Sequence, residues 1–551
     1  MTKRNSVPVV GGELTLGQEA LWLIQNLDPD CVAYNVTAAL SLHFPVDVAS
    51  MESAVRSTVL EHTLLGSVFG CDDAGRVRRH PASAAAAAGL FERYEPDLDE
   101  DGLRAFALGL TRRPFGLDRE PPVRVALLRP RGGSDILLIT AHHIVADNIS
   151  QLLICQEILS RYAALRAGGE HVPQDAGAVF DRFVRRQRAY LDSPRADRAR
   201  RHWQRELQGV SEHTALPADL PRPAVYRPQG AEIDLVLPPD LVAALDDAVA
   251  ARNVTVFAYL LTVFELLVHR FSGQTAFVVG YPVTQRQGVG TRDAIGYFVN
   301  TLALRVEIDP EEGFDALLRG TAAGLWRSLM HRDFPFALLS GLVDLPRDPG
   351  RPGPVTVLFA LNDLDEDDPI AAAMEPGRTV EHAGLRTSEY YLPQQQGQFE
   401  LALQMTRRAR SVQAKLKYNT SLFTERTARQ LAQEYLELLR SAVGDTLPPA
   451  LRELIPRSES GSMDSTRTDT DRAARLARIR DVAAEVFSAE PAAVEAAEDF
   501  EKDLDTDSLL AVEFVVELER VFGVPLHVDQ IPRLMAGLDS AYETVAESAG
   551  W

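Results

Sequence analysis

Residues 456–470 read PRSESGSMDSTRTDT, a run of Ser, Thr, Asp and Arg with almost no large apolar side chain. Such a run cannot bury enough surface to offset the entropy of ordering it, and it behaves as a flexible tether. It therefore divides the chain into bodies that must fold separately. As a relaxed coil, fifteen such residues span about 20 Å. The piece after the tether is short and acidic: residues 471–551 carry 18 acidic and 7 basic residues, a net of −11, which leaves −10 of the total −21 for the other 470. At roughly 100–200 residues per domain, the chain predicts about three to five compact units. The acidic total argues against a general nucleic-acid binder and against docking on anionic lipid, because both need clustered Lys and Arg.

Three scattered cysteines (Cys31, Cys71, Cys155) form no disulfide framework and no CxxC pair for zinc. The first twelve residues are mostly polar and lack the apolar core of a signal peptide. The longest apolar stretch, residues 254–268 (VTVFAYLLTVFELLV), is too short for a bilayer and contains Glu265, so it reads as a buried helix. A soluble cytoplasmic protein is the expectation.

After the tether, residues 472–487 have helical periodicity, with Leu476, Ile479, Val482, Ala483 and Val486 on one face. Residues 508–522 form a second helix with Glu513, Glu517 and Glu519 expected on its exposed side, and Gly523 is a stop signal. A last helix fits residues 538–549. The pattern is an all-α bundle. Before the tether, residues 136–141 (ILLITA), 274–279 and 355–360 read as buried strands. Residues 152–167, 194–207, 241–251, 254–271 and 427–443 read as helices, and residues 210–228, rich in Pro and Ala, as a crossover between two halves. Alternating strands and helices predict an α/β body.

His142-His143-Ile144-Val145-Ala146-Asp147 directly follows the strand at 136–141. Neighbouring side chains of a strand point to opposite faces, so one imidazole turns into the body and the other into a cleft. A neutral imidazole near pH 7 is a competent general base. Asp147 is placed to orient an imidazole or the local loop. Two adjacent histidines and one aspartate make a poor zinc site. On these residues alone, a structural and a catalytic role both stay open.

The pattern HHxxxD, followed by Asn148-Ile149-Ser150, resembles the signature of condensation domains of nonribosomal peptide synthetases, relatives of chloramphenicol acetyltransferase. Further segments resemble the family's motifs in order over about 440 residues. Residues 14–22 (LTLGQEALW) are similar to S-x-A-Q-x-x-x-W, and residues 202–207 (HWQREL) to the helix after the first lobe. Residues 280–286 (GYPVTQR) match GxPVxxR, residues 295–302 (IGYFVNTL) match IGxFVNTL, residues 331–336 (HRDFPF) resemble HQxxPFE, and residues 419–423 (NTSLF) the closing YNxxLF. Three departures stand out. The RHExLRTxF motif survives only as residues 61–69 (EHTLLGSVF), Asn148 replaces the usual Gly, and residues 180–187 lack the family's Asp and Trp.

The resemblance implies two chloramphenicol acetyltransferase-like α/β lobes in a V, residues 1–185 and 186–455, with a tunnel between them. It implies that His143 acts as the base or orients the attacking amine, with His142 and Asp147 beside it as catalytic-motif residues. Asp147 would be held by Arg286, since a buried charge at a strand end needs a partner. The amides after Asp147, starting with Asn148, would lie near a developing oxyanion. Ser150 and Asn300 would be structural or line the tunnel.

Leu504-Asp505-Thr506-Asp507-Ser508-Leu509 precedes the helix at 508–522. By itself, Asp-Ser-Leu at a helix start is a capping signal. In a small acidic bundle behind a tether, it resembles the (G/L)xDSL signature of acyl and peptidyl carrier proteins, with Thr506 in place of a common Gly. The resemblance implies 4′-phosphopantetheine on Ser508. It also implies a four-helix carrier domain at 473–551, after a linker at 456–472, whose acidic helix meets basic patches on partner enzymes.

The combined reading is an acyltransferase that joins a carrier-bound acyl or peptidyl thioester to a nucleophile, most simply an amine. The expected partners are an upstream donor carrier, an adenylation or other loading enzyme acting in trans, a phosphopantetheinyl transferase and downstream synthetase domains. No adenylation domain accompanies these motifs, so the carrier is loaded in trans or the chain is a piece of a larger synthetase. The alternatives are an ester-forming or free-amine acyltransferase of the same family, an epimerase-like relative, and a non-catalytic docking scaffold.

Overall fold

The computed structural model describes residues 12–169, 177–210, 212–214, 216–342, 348–363, 372, 375–393, 397–408, 411–454, 475–484, 486–487, 489–497, 499–504, 508–522, 524, 526 and 530–549. The expected tether at 456–472, most of the N-terminal dozen, Asp505, Thr506, Asp507 and Gly523 lie outside them. The chain divides into two compact units, Met1–Ile455 and Pro456–Trp551.

The first unit is built on two six-stranded sheets. In the first, β1 (Asn35–Leu42), β4 (Phe91–Tyr94), β5 (Val123–Leu128) and β6 (Asp135–His142) come from the N-terminal half, and β2 (Ser67–Cys71) and β3 (Val77–Pro81) form a separate hairpin. Strand β6 is buried along nearly all its length because both faces are covered. Leu137, Ile139 and Ala141 pack toward the helices α2 (Val48–Glu61) and α4 (Asn148–Arg166), while Ile136 and Leu138 pack toward α3 (Glu100–Thr111). The helix α1 (Leu16–Leu27) begins at Thr15, whose hydroxyl accepts from the Gln18 N–H while the Gln18 side chain accepts from the Thr15 N–H.

In the second sheet, β7 (Gly230–Val236), β8 (Ala276–Thr284), β9 (Val299–Glu307), β10 (Val357–Asp363), β13 (Leu401–Arg408) and β14 (Ser411–Asn419) run in the order β7-β14-β13-β10-β8-β9. Strand β14 alternates. Val412, Ala414 and Leu416 enter the core with α7 (Pro239–Arg252), α8 (Val256–Ser272) and α10 (Glu425–Val443), and Gln413, Lys415 and Lys417 face the other way. The apolar stretch at 254–268 is the body of α8, buried continuously from Ala258 to His269. No single helix among the described residues is long and apolar enough to cross a membrane.

The two lobes are not divided cleanly between residues 185 and 186. The hairpin β11 (Thr379–His382) and β12 (Leu385–Glu389) leaves the second half and completes the first sheet, in the order β11-β12-β1-β6-β5-β4. β12 pairs antiparallel with β1, Leu40 opposite Glu389. The reason is that β1 would otherwise present an open edge with unpaired backbone groups.

The second unit contains a helical stretch at 475–484 and the helices Pro491–Ala496, Phe500–Asp503, Ser508–Phe522, Ile531–Leu534 and Leu538–Ala549. Phe487, Phe500 and Phe514 pack ring to ring in its core, 4.9 to 6.0 Å between centroids. Glu517 and Glu519, expected on the exposed face, are half-buried, and Glu519 accepts the Leu526 N–H at 2.7 Å. The Glu513 side chain lies outside the described residues.

Candidate active site

Strand β6 ends at His142, and the chain turns there into the N-terminus of α4. The two histidines diverge. His142 is fully buried; its Nδ1 accepts the Ile144 N–H at 3.1 Å and its Nε2 meets Gln25 Oε1 at 3.2 Å. Burial pushes its pKa down to about 3, so it is a neutral ring inside the body. Both ring nitrogens of His142 are engaged, and its side chain is not among those that line the cleft.

His143 faces the other way and lines a cavity of about 1830 Å³ between the lobes. Its backbone N–H donates to the Tyr34 carbonyl at 2.8 Å, which fixes the loop to the start of β1. Its Nδ1 lies 2.7 Å from the Ala146 carbonyl oxygen, which only accepts, so Nδ1 carries the proton and Nε2 the lone pair. The ring of Tyr297 stands edge-on to it, centroids 5.2 Å apart and planes at 86°. Burial lowers the His143 pKa, and the Ala146 carbonyl and the Asp147 charge only partly oppose this. The result is a neutral imidazole with a basic nitrogen at a cavity wall.

Asp147 is the N-cap of α4, and partners within the protein take up its charge. Its Oδ1 accepts from the Ser150 N–H at 2.8 Å and from Arg286 at 2.7 Å, and its Oδ2 accepts from the Phe298 N–H at 3.2 Å. Both carboxylate oxygens of Asp147 are thus engaged by groups of the protein itself. Arg286 also donates to the carbonyls of Thr291 and Ala294, both at 2.7 Å, and lies over the Phe298 ring, 4.4 Å from its centroid. Ser150, fully buried, donates to the Gly296 carbonyl at 2.7 Å and accepts from Arg286 and from the Gly296 N–H. Together these bonds tie the segment between β8 and β9 to the helix behind His143. Gly296 must be glycine here, because a Cβ would sit 2.2 Å from Cδ2 of Phe180.

Asn148 is exposed at the first position of α4 and lines the cavity. The first N–H groups of a helix have no intrahelical acceptor, and in this turn the Ser150 N–H is taken by Asp147. Asn300 reaches the cavity wall, but its amide is spent on the backbone. Nδ2 donates to the carbonyls of Arg332 and Phe334 at 2.9 and 2.8 Å, and Oδ1 accepts the Phe336 N–H at 2.9 Å. It clamps the loop at 331–336.

Two further residues support the histidine loop. Gln18 Nε2 donates to the Ile144 carbonyl at 2.8 Å, and Gln25 meets His142 as described. Both are buried and seven residues apart on α1. Two glutamines on the apolar face of an amphipathic helix are the available signal, since a buried amide needs partners.

In the second unit, Ser508 is the first residue of the helix Ser508–Phe522. A helix start suits a phosphodiester, whose charge the helix dipole favours, so the position fits a 4′-phosphopantetheine attachment.

Residues 12–461 match the condensation-domain family, and residues 477–540 match the phosphopantetheine attachment site family. A linear gramicidin synthase from Brevibacillus parabrevis is 29% identical over 441 residues, which cover 79% of this chain and 6% of that protein. Phosphinothricin tripeptide synthetase PhsC of Streptomyces viridochromogenes is 32% identical over 440 residues, which cover 78% of this chain and 39% of that protein. The chain thus spans well under half the length of either relative. A crystal structure of a four-domain nonribosomal peptide synthetase bound to AMP and glycine superposes with a TM-score of 0.72 at 22% identity, covering 84% of this chain and 35% of that one, a likeness of fold.

Proposed function

The chain belongs to the condensation-domain family, with a phosphopantetheine attachment domain behind it, and on that premise we propose that it is an acyltransferase joining a carrier-bound acyl or peptidyl thioester to an amine to form an amide. The observation that carries this reading is the tautomer of His143: Nδ1–H is held by the Ala146 carbonyl, and Nε2 keeps its lone pair on a ring at the cavity wall.

The arm on Ser508 supplies, when attached, a terminal thiol that holds an acyl group as a thioester. The chain's own residues do the rest. His143 Nε2 receives the proton of the attacking amine, or fixes the amine by accepting its hydrogen bond; as the C–N bond forms, the carbonyl's C–S bond breaks and the donor arm's sulfur leaves with a proton as a free thiol. The N–H donors at the start of α4, beginning with Asn148, face the negative charge that develops on the carbonyl oxygen. Asp147, Arg286 and Ser150 hold that helix end in register with His143. A thioester is already activated, so this positioning supplies much of the rate. The partners are an upstream donor carrier, an adenylation or other loading domain, a phosphopantetheinyl transferase and further synthetase domains. The place of action is the cytoplasm.

The test is a condensation assay with an acyl-loaded donor carrier and amine or alcohol acceptors, with products read by mass spectrometry. Amide formation that falls about 10²–10⁴-fold in H143A supports the reading. Unchanged turnover in H143A removes His143 from the chemistry, and preferential use of the alcohol changes the product to an ester. Incubation with a phosphopantetheinyl transferase and coenzyme A adds the arm to the wild-type chain and not to S508A. A wild-type chain that gains no mass removes the carrier role.

A further inference from the structure

Four carboxylates line the cavity: Asp147, Glu232, Asp234 and Glu389. Three are accounted for. Asp147 is held by Arg286, and Glu232 and Asp234 receive Lys415 at 3.3 and 2.5 Å, with the Tyr391 hydroxyl also donating to Glu232. The carboxylate of Glu389 has no hydrogen-bond or ion-pair partner among the described residues. It is half-buried at the last position of β12, where the hairpin from the second half of the chain meets β1.

Its surroundings are the polar face of the second sheet. Arg408 on β13 and Lys415 on β14 are the cations whose charge it feels, and neither forms an ion pair with it. Lys415 is already shared by two carboxylates and lies over the Tyr391 ring, 3.9 Å from its centroid. Lys417 is the next cation along the strand and feels Glu232. Burial outweighs Arg408 and Lys415 and raises the Glu389 pKa to about 7, the mark of a carboxylate whose compensation is incomplete. A half-buried acid facing the cavity, with its lone pairs unspent, is matched by a ligand that brings donors or positive charge.

Position says which part of a substrate arrives there. His142 lies opposite Asn35 on β1, and Glu389 lies opposite Leu40, five residues further along the same strand. His143 is one position further from Glu389, its N–H bonded to the Tyr34 carbonyl, so at about 3.4 Å per residue it and Glu389 are roughly 20 Å apart along β1. This is too far for a role at the reacting carbonyl and within reach of the distal part of an aminoacyl or peptidyl substrate.

We propose that Glu389 forms a subsite at the far end of the cavity that receives a positively charged, hydrogen-bond-donating amine on the substrate's side chain or distal end. The subsite rests on the condensation reading for its role in turnover, but not for its binding. Glu389 is a specificity residue: it selects which substrate is seated and takes no part in bond formation.

Two measurements on the full chain test it. Calorimetric titration with non-hydrolysable pantetheine amides carrying ornithyl or norvalyl groups reads binding without chemistry. Wild type should bind the ornithyl compound about tenfold or more tighter, and E389Q should lose that preference. Condensation assays with ornithyl and norvalyl groups, offered in turn as donor and as acceptor, should show the same collapse of the ornithyl-to-norvalyl ratio of kcat/KM in E389Q. An equal ratio in wild type and E389Q overturns the subsite even if amides form. A binding preference that collapses in E389Q, with no amide formed from any pair, upholds the subsite and removes the condensation reading.

Discussion

Arg286 donates to Asp147 Oδ1 at 2.7 Å, joining the segment between β8 and β9 to the helix that begins behind His143. The side chains are only 4% and 9% exposed. The pair makes the geometry of the histidine loop depend on residues 139 positions away.

Removing one partner of this buried pair leaves the other charge uncompensated. R286M or D147L should each cost about 3–5 kcal/mol in urea unfolding, with part of the loss recovered in the double variant. Two single losses that simply add would mean that Asp147 and Arg286 do not depend on each other.

The two histidines should separate cleanly on mutation. H143A should lower turnover and leave the urea midpoint nearly in place, because the ring faces a cavity. H142A should lower stability by about 1–3 kcal/mol, since it strands Gln25 and the Ile144 N–H in the interior. A thermal melt and a turnover assay on both variants check the split, and the opposite pattern would reverse the roles assigned to the two rings.

Activity should persist into mild acid. The required form of His143 is neutral, and burial lowers its pKa. The acid limb of the kcat profile should therefore fall below the ordinary histidine value of about 6.5. A limb at or above that value would contradict the buried setting of the ring.

Stability should behave differently with pH. His142 and His62 are both pushed down to about 3 by burial. In the unfolded chain they take up protons near pH 6.5, and in the folded chain they do not until about pH 3. The unfolded state thus binds more protons throughout that window. The stabilisation is complete above pH 6.5 and is lost as pH falls, by about 1.4 kcal/mol per unit for each ring. H142Q cannot protonate and should remove one ring's share of that slope, as read from urea midpoints between about pH 6 and 4.5.

G296A should destabilise by about 1–3 kcal/mol through overpacking, because the new Cβ lies 2.2 Å from Phe180 Cδ2. F180L should relieve part of the loss in the double variant. No relief would place the cost in the hydrogen bonds of Ser150 to Gly296 instead.

The sequence shows some of this plainly and hides the rest for physical reasons. The strand at 136–141 and the buried helix α8 are legible because burial on all sides leaves continuous apolar runs. A buried carboxylate demands a cation, and the family resemblance is what names Arg286 as the partner of Asp147. Adjacent residues of a strand must diverge, but which of His142 and His143 turns inward depends on Gln25 and on the covering helices, and that is a tertiary matter. The hairpin β11–β12 is short and half-exposed, and nothing in its own residues names β1 as its neighbour, because pairing partners are set by which edge is open. Asn300 reads equally well as tunnel or structure until its three backbone bonds are seen. Glu389 carries no local pattern at all; its meaning comes from a sheet that assembles around it.

The hairpin also sets a timetable. During synthesis, β1 leaves the ribosome about 340 residues before β12, roughly 20–70 s at 5–20 residues per second. Throughout that interval the edge of β1 is complete and unpaired, a ready template for another nascent chain. The first lobe is therefore obliged to wait for the second, and expressing it alone, cut before residue 379, should release a protein that aggregates through that edge.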